Sequence, residues 1–127
     1  MALVALAGPL TNVLLAIIAV ILLRILFLPV IGHSISPFLF SLLYPILSTV
    51  INLNLLLAIF NLLPIPPLDG SKLFALILPE KEGNTYLAMG NIGFFILLFL
   101  LLFPIGGFSL SQFIFNLISF TRSILLP

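Results

Sequence analysis

The sequence has no cysteine and very little charge. Without cysteine there is no disulfide, no thiolate metal site and no cysteine nucleophile. Of 127 residues only 6% are charged, four basic and three acidic, while 63% are hydrophobic. A soluble domain carries roughly 25% charged residues. This chain could not cover a water-facing surface, and its mean hydropathy of +1.47 makes it an integral membrane protein in contact with a lipid bilayer. A net charge of +1 with no basic cluster gives no reason to expect a nucleic-acid partner. The first charge is Arg24, so there is no basic leader of the kind that opens a signal peptide. A membrane chain with no polar lead-in is expected to be part of a longer polypeptide.

What is present is four apolar segments and one interruption, the pattern of an all-α membrane domain of about four transmembrane helices. The first segment runs from Leu3 to Ile31, with a regular helix expected from Pro9, which suits a first helical turn. A loop over 32–37 leads to the second segment, Phe38 to Leu63, where Pro45 marks a kink or a late start. A proline-rich break and a short apolar stretch to Leu78 follow, together forming a broken half-helix around 64–78. The hydrophilic connector 79–84 leads to a third span, Tyr86 to Phe103, and a turn at 104–107 to a fourth, Phe108 to Leu126. With the 79–84 connector cytoplasmic, Lys72, Lys81 and Arg122 fall on that side and Arg24 on the other, in line with the positive-inside rule.

The first segment has a face. Ala5, Gly8, Asn12, Ala16 and Ala19 are spaced 3, 4, 4 and 3, within about 80° of arc on a helix. Small residues in such a stripe let a second helix approach closely, and Asn12 either locks that helix or faces a cavity. In the second segment Asn54, Ala58 and Asn61 share a face; Asn52 and Asn54 read as interhelical glue, Asn61 as a site residue beside the break.

The break itself, from Asn61 through Pro64, Ile65, Pro66, Pro67 and Leu68 to Asp69 and Gly70, carries the chemistry. Its three prolines remove backbone donors and push the residue before each toward extended geometry. Irregular backbone at membrane depth is tolerated only where protein buries it or it lines a cavity. An extended strip there offers carbonyls to which a substrate strand could pair. An aspartate at that depth is costly and is a functional candidate by default. Four readings of Asp69 stand: a ligand to a divalent cation, a cap of the helix near Ser71, a partner of Lys72, or a carboxylate on an ion path.

Two stretches resemble the site-2 protease family of intramembrane zinc metalloproteases. Ala7-Gly8-Pro9-Leu10-Thr11-Asn12 resembles the family's AGPxxN element, and residues 61–70 resemble its NxxPxPxLDG element. The resemblance covers residues 1–79; the last two spans match nothing specific. It implies that Asp69 is a zinc ligand, that Asn61 faces the active site as a catalytic group, and that Pro64, Ile65, Pro66 and Pro67 lie beside a transmembrane peptide substrate. It also implies that Gly8, Pro9 and Asn12 pack the core helix against the zinc-bearing one, with Gly70 completing the second motif.

The sequence departs from the family in one respect. The other two zinc ligands and the general base should come from HExxH, where histidines one turn apart bind the metal and the glutamate activates water. No HExxH is present; the single histidine, His33, lies in a loop, and Glu80 and Glu82 lie in the hydrophilic connector. The expectation is therefore the C-terminal portion of a prokaryotic, multi-pass membrane metalloprotease, inactive on its own. The alternatives are a non-catalytic membrane protein that binds transmembrane segments at the proline strip, and an ion-coupled transporter.

Overall fold

A computed structural model describes residues 2–126, and the described elements are helical: α1 (Ala2–Leu26), α2 (Pro29–Gly32), α3 (Pro37–Asn61), α4 (Asp69–Ala75), α5 (Glu80–Ala88), α6 (Gly90–Leu102) and α7 (Leu110–Leu125). Two of them, α1 and α3, are long and apolar enough to cross a membrane, and the bent pair of α5 and α6 makes a possible third. A helix of 25 residues is about 37 Å long against a hydrocarbon core of about 30 Å. By the same rule α7, at 16 residues, reaches only about 24 Å.

α1 and α3 form an antiparallel pair whose seam is the small-residue stripe. Ala16, Ala19, Val20 and Leu23 pack on Ile51 and Leu55, all buried, and Ala5 and Ala58 are buried as well. Without a hydrophobic driving force in lipid, such close van der Waals packing is what associates two apolar helices. α1 is helical ahead of Pro9, back to Ala2, so the proline sits inside the helix rather than at its start. α3 likewise passes through Pro45 without interruption, beginning at Pro37 with the Ser36 hydroxyl accepting from the Leu39 N–H at 3.3 Å. Each proline removes one internal hydrogen bond, and the flanking turns carry the helix across.

A second cluster gathers Leu63, Leu97, Leu110 and Ile114, with Ile59, Phe60, Ile65 and Leu68 against it. It ties the end of α3 and the proline break to α6 and α7. The third span expected as one helix over 86–103 is two helices meeting at 65°, and residues 80–84 of the connector form the first turn of α5. The bend lets α6 lay Gly93 on the Pro66 carbonyl. The far end of α6 is also near the end of α3, since Leu101 shares a cleft with Leu56, Leu57 and Phe60. A two-residue turn, with Gly106 and Gly107 at φ 58° and 80°, then closes an Ile105–Phe108 bridge. Positive φ at both central positions is the requirement of a type I′ turn, and glycine meets it without strain.

α7 starts beside Leu63 and ends where the Arg24 guanidinium donates to the Leu125 carbonyl at 2.6 Å. It therefore runs antiparallel to α3 and alongside α1. Four alternating spans would have put it parallel to α3. Arg122 consequently sits at the end of the bundle that holds Arg24, while Lys72 and Lys81 lie at the other, on α4 and on α5, which packs against it. The three-to-one distribution expected from the sequence is two against two, and the positive-inside rule assigns no orientation.

Two glycines fix the break by backbone contact. A Cβ on Gly70 would lie 2.0 Å from the Leu62 carbonyl oxygen, and one on Gly93 would lie 2.0 Å from that of Pro66. Neither obstacle is a flexible side chain. Gly70→Ala and Gly93→Ala are each expected to destabilise the fold by about 2–3 kcal/mol, the upper part of the overpacking range. Gly90→Ala, whose Cβ would meet only Pro67 Cβ at 3.9 Å, should be neutral. Unfolding midpoints of the three variants in mixed detergent micelles give the ranking.

Candidate metal centre and proline strip

α3 ends at Asn61, which is half-buried, and the chain enters a succession of turns rather than an extended strip. The Leu63 N–H bonds to Phe60 O at 3.2 Å, the Leu68 N–H to Ile65 O at 2.9 Å, and the Ser71 N–H to Leu68 O at 3.1 Å. These local bonds use the donors the prolines leave. The carbonyls are engaged too: Ile65 O by that turn, Pro64 O by the Tyr86 hydroxyl, and Pro66 O by close contact with Gly93. The straight pairing edge expected over 64–67 is therefore folded into turns, with the Pro64 and Ile65 carbonyls bonded within the chain and that of Pro66 covered by Gly93. Pro64 and Pro67 are exposed, Ile65 is half-buried and Pro66 is buried. An apolar groove of about 170 Å³ runs along the strip, lined by Pro64, Ile65, Pro66, Tyr86, Met89 and Gly93.

Asp69 opens α4. Its side chain does not cap the helix, since the N-cap position is Leu68 and no side-chain cap bond forms. As an anion in the first turn it is favourably placed in the helix dipole. Its Oδ1 lies 3.6 Å from Lys72 Nζ, so the pairing read from the sequence is present. With both side chains a third to a half exposed, such a pair is worth no more than about 1 kcal/mol and leaves the carboxylate available.

The other carboxylate oxygen faces α1. A Cβ built on Gly8 would lie 3.4 Å from Asp69 Oδ2, so the two motif stretches meet at this point. Gly8 is itself exposed, Pro9 beneath it is buried, and Asn12 one turn on is half-buried. Any side chain larger than a methyl at position 8 would press on the carboxylate. Asn52 and Asn54 lie away from this site and are used structurally: Asn52 Oδ1 accepts from Arg122 at 3.3 Å, and Asn54 Nδ2 donates to Val50 O at 2.8 Å.

The remaining candidate ligands do not converge on Asp69. His33 lies in the α2–α3 connection at the opposite end of the α1–α3 pair, its N–H bonded to Pro29 O at 3.2 Å. Glu80 and Glu82 are exposed in the first turn of α5. Among the described residues no three His, Cys, Asp or Glu side chains are grouped to hold a metal. Asp69 fits one ligand position of a zinc site that normally takes three from protein, so the donors present do not by themselves make the site.

Residues 29–104, more than half the chain, match Peptidase family M50. The chain belongs to that family. The match extends beyond residue 79 through α5 and α6 and begins after the Ala7–Asn12 stretch. This M50 chain is 34% identical over 108 residues to a Bacillus subtilis protein named "Putative zinc metalloprotease YwhC", covering 85% of the chain and 48% of that protein. It is 34% identical over 103 residues to zinc metalloprotease MJ0392 of Methanocaldococcus jannaschii, covering 79% of the chain and 27% of that protein. The chain thus spans less than half the length of either relative. No solved structure matches it. Family and apolar helices together make this a membrane protein of a metalloprotease family whose named relatives are bacterial and archaeal.

Two residues at the site escape the sequence reading. Gly93 belongs to an unbroken apolar run, and Tyr86 looks like the first residue of a span. Tyr86 instead packs its ring on Phe74, centroids 5.4 Å apart, and gives its hydroxyl proton to Pro64 O. No motif flags it, because its partner is reached only once α5 folds back over α4. Tyr86→Phe keeps the ring and removes the bond, and should lower stability by about 1 kcal/mol. Equilibrium unfolding with circular dichroism as the readout tests this, with the helix content before unfolding expected unchanged.

Proposed function

We propose that this chain provides the aspartate side of the active site of an intramembrane zinc metalloprotease that hydrolyses peptide bonds in membrane-embedded substrates. The observation that carries the reading is the meeting of Gly8 and Asp69 Oδ2, which brings the two family motifs together at one end of the α1–α3 pair. Asp69 supplies one oxygen ligand, and the two histidines and the general base come from an HExxH segment that this sequence does not contain. When bound, the zinc supplies Lewis-acid activation of water.

This chain's residues do the rest. The exposed glycine at position 8 leaves the carboxylate open on the α1 side, where a segment bearing the other ligands has room to approach. Lys72 stands beside the carboxylate as its counter-charge until the site is complete. Asn61, at the last turn of α3, is the polar group placed to hold the substrate or the developing oxyanion. Pro64, Ile65, Pro66 and Pro67 border the substrate, which lies in the groove toward Tyr86 and Met89. α1 and α3 cross the membrane as two passes; residues 1–79 form the protease core and 80–127 brace the proline strip from behind, within one membrane domain.

Expressed together with an HExxH segment, Asp69→Ala should lose cleavage of a transmembrane reporter by more than the roughly 10–100-fold that removal of a supporting group costs. Its zinc content should fall with it, while circular dichroism stays as in wild type. Gly8→Ala should retain zinc and Gly8→Leu should lose it. Undiminished cleavage by Asp69→Ala sinks the assignment. Crosslinking of the reporter to positions 64–67 without cleavage in any form favours the alternative, a non-catalytic protein that binds transmembrane segments.

A further inference from the structure

Arg122 is the least explained charge in the molecule. It lies on α7, half-buried, and its guanidinium is held against the middle of α3: Nη1 donates to Asn52 Oδ1 at 3.3 Å and Nη2 to Ser48 Oγ at 2.9 Å. Both acceptors are neutral. A guanidinium has five N–H donors in a fixed fork, so three remain, and the described residues give them no acceptor. The three acidic side chains of the sequence, Asp69, Glu80 and Glu82, all lie at the other end of the bundle. Arg24, with its guanidinium on Leu125 O, adds a second positive charge to the same end, where no acidic side chain lies among the described residues.

The surroundings describe what would neutralise this charge. A cleft of about 390 Å³ opens on Arg122 and is lined by Tyr44, Ser119, Ser123 and Leu126. Its walls offer hydroxyl donors on one side and apolar surface on the other. Tyr44 belongs to an aromatic cluster with Phe27 and Phe40, ring centroids 5.5–6.2 Å apart, just past the end of α1. Tyr44 thereby carries its hydroxyl into the same cleft as the arginine fork. A second cleft of about 320 Å³ continues from Arg122 along the α3–α7 seam, with Asn52 and Ser119 at its wall beside the arginine and Leu53, Leu56, Phe115 and Ile118 making the rest. An apolar channel leading away from a charged fork fits an acyl chain below its headgroup.

We propose that the Arg122 cleft is a binding site for a phosphate group, supplied by the phosphodiester of an anionic membrane lipid. Planar guanidinium forks match phosphate oxygens in bidentate fashion. Three spare donors on Arg122 with the hydroxyls of Tyr44 and Ser119 are enough to coordinate one, the Ser123 hydroxyl being given to the Phe120 carbonyl at 2.7 Å. The site is separate from Asp69 and independent of any role in peptide hydrolysis. Its occupation would clamp the C-terminal half of α7 to α3, since the same side chain that binds the lipid is anchored to Asn52 and Ser48.

The test is native mass spectrometry of the full chain released from nanodiscs of phosphatidylcholine doped with phosphatidylglycerol, with inorganic phosphate titrated separately in detergent. Wild type should retain one phosphatidylglycerol per chain. Arg122→Gln should lower that occupancy at least about fivefold, the factor expected from one interfacial arginine. Ser119→Asp leaves Arg122 and its anchors in place and supplies an internal counter-charge from an exposed position, so it should lower occupancy equally without disturbing the fold. Lys81→Gln should have no effect. Arginine-dependent binding of lipid but not of inorganic phosphate establishes the headgroup as the source. Arginine-dependent binding of inorganic phosphate alone moves the source to a soluble anion and keeps the site. Lipid retention that neither Arg122→Gln nor Ser119→Asp changes overturns the proposal.

Discussion

The structure around Asp69 depends on one constraint: a proline-rich segment cannot build itself into a bundle through regular hydrogen bonds, so it must be held from outside. Here the holding is done by backbone lying on backbone. Gly70 rests on the carbonyls of Leu62 and Leu63, and Gly93 rests on that of Pro66. Tyr86 secures the Pro64 carbonyl, and Leu63, Ile65 and Leu68 drop into the cluster formed with α6 and α7. In a low-dielectric surrounding each of these carbonyls would be costly if left alone. The position of the aspartate is thus decided by contacts made with residues as far along the chain as Ile114, on helices α5, α6 and α7.

The other half of the site depends on a different kind of contact. The alanines of α1 set the distance between α1 and α3, and that distance sets where Gly8 lies relative to the start of α4. A larger residue in the seam would separate the pair and carry the glycine away from the carboxylate. Two features that look purely structural, a stripe of small residues and a glycine-rich docking of α6, therefore fix opposite sides of one carboxylate.

Much of this was legible in the sequence, and the parts that were not have identifiable causes. The small-residue stripe of α1 pointed to close packing by another helix, and its alanines Ala5, Ala16 and Ala19 are buried, whereas Gly8 is exposed and Asn12 half-buried. The Asp69–Lys72 pair followed from i,i+3 spacing. The strip over 64–67 was misread as extended because proline chemistry restricts each residue but does not say which carbonyls will be claimed by later helices. The third span and the direction of α7 were missed for a related reason. An apolar run such as Ile92–Phe103 is hydrophobic on every side, so its periodicity carries no information about which way it leans. With seven charges in the whole chain, the sidedness of Arg122 rested on counting spans, and one bent helix was enough to reverse it.

The ion pair at the start of α4 has a consequence for biogenesis. α4 has seven residues, about 10 Å of helix, too short to be handled as a span of its own. Its aspartate and lysine sit one turn apart on the same short helix and present their opposite charges as a local pair. The translocation machinery therefore meets a locally neutral unit, and the cost of carrying a carboxylate to the depth of Gly8 is reduced before any tertiary contact exists.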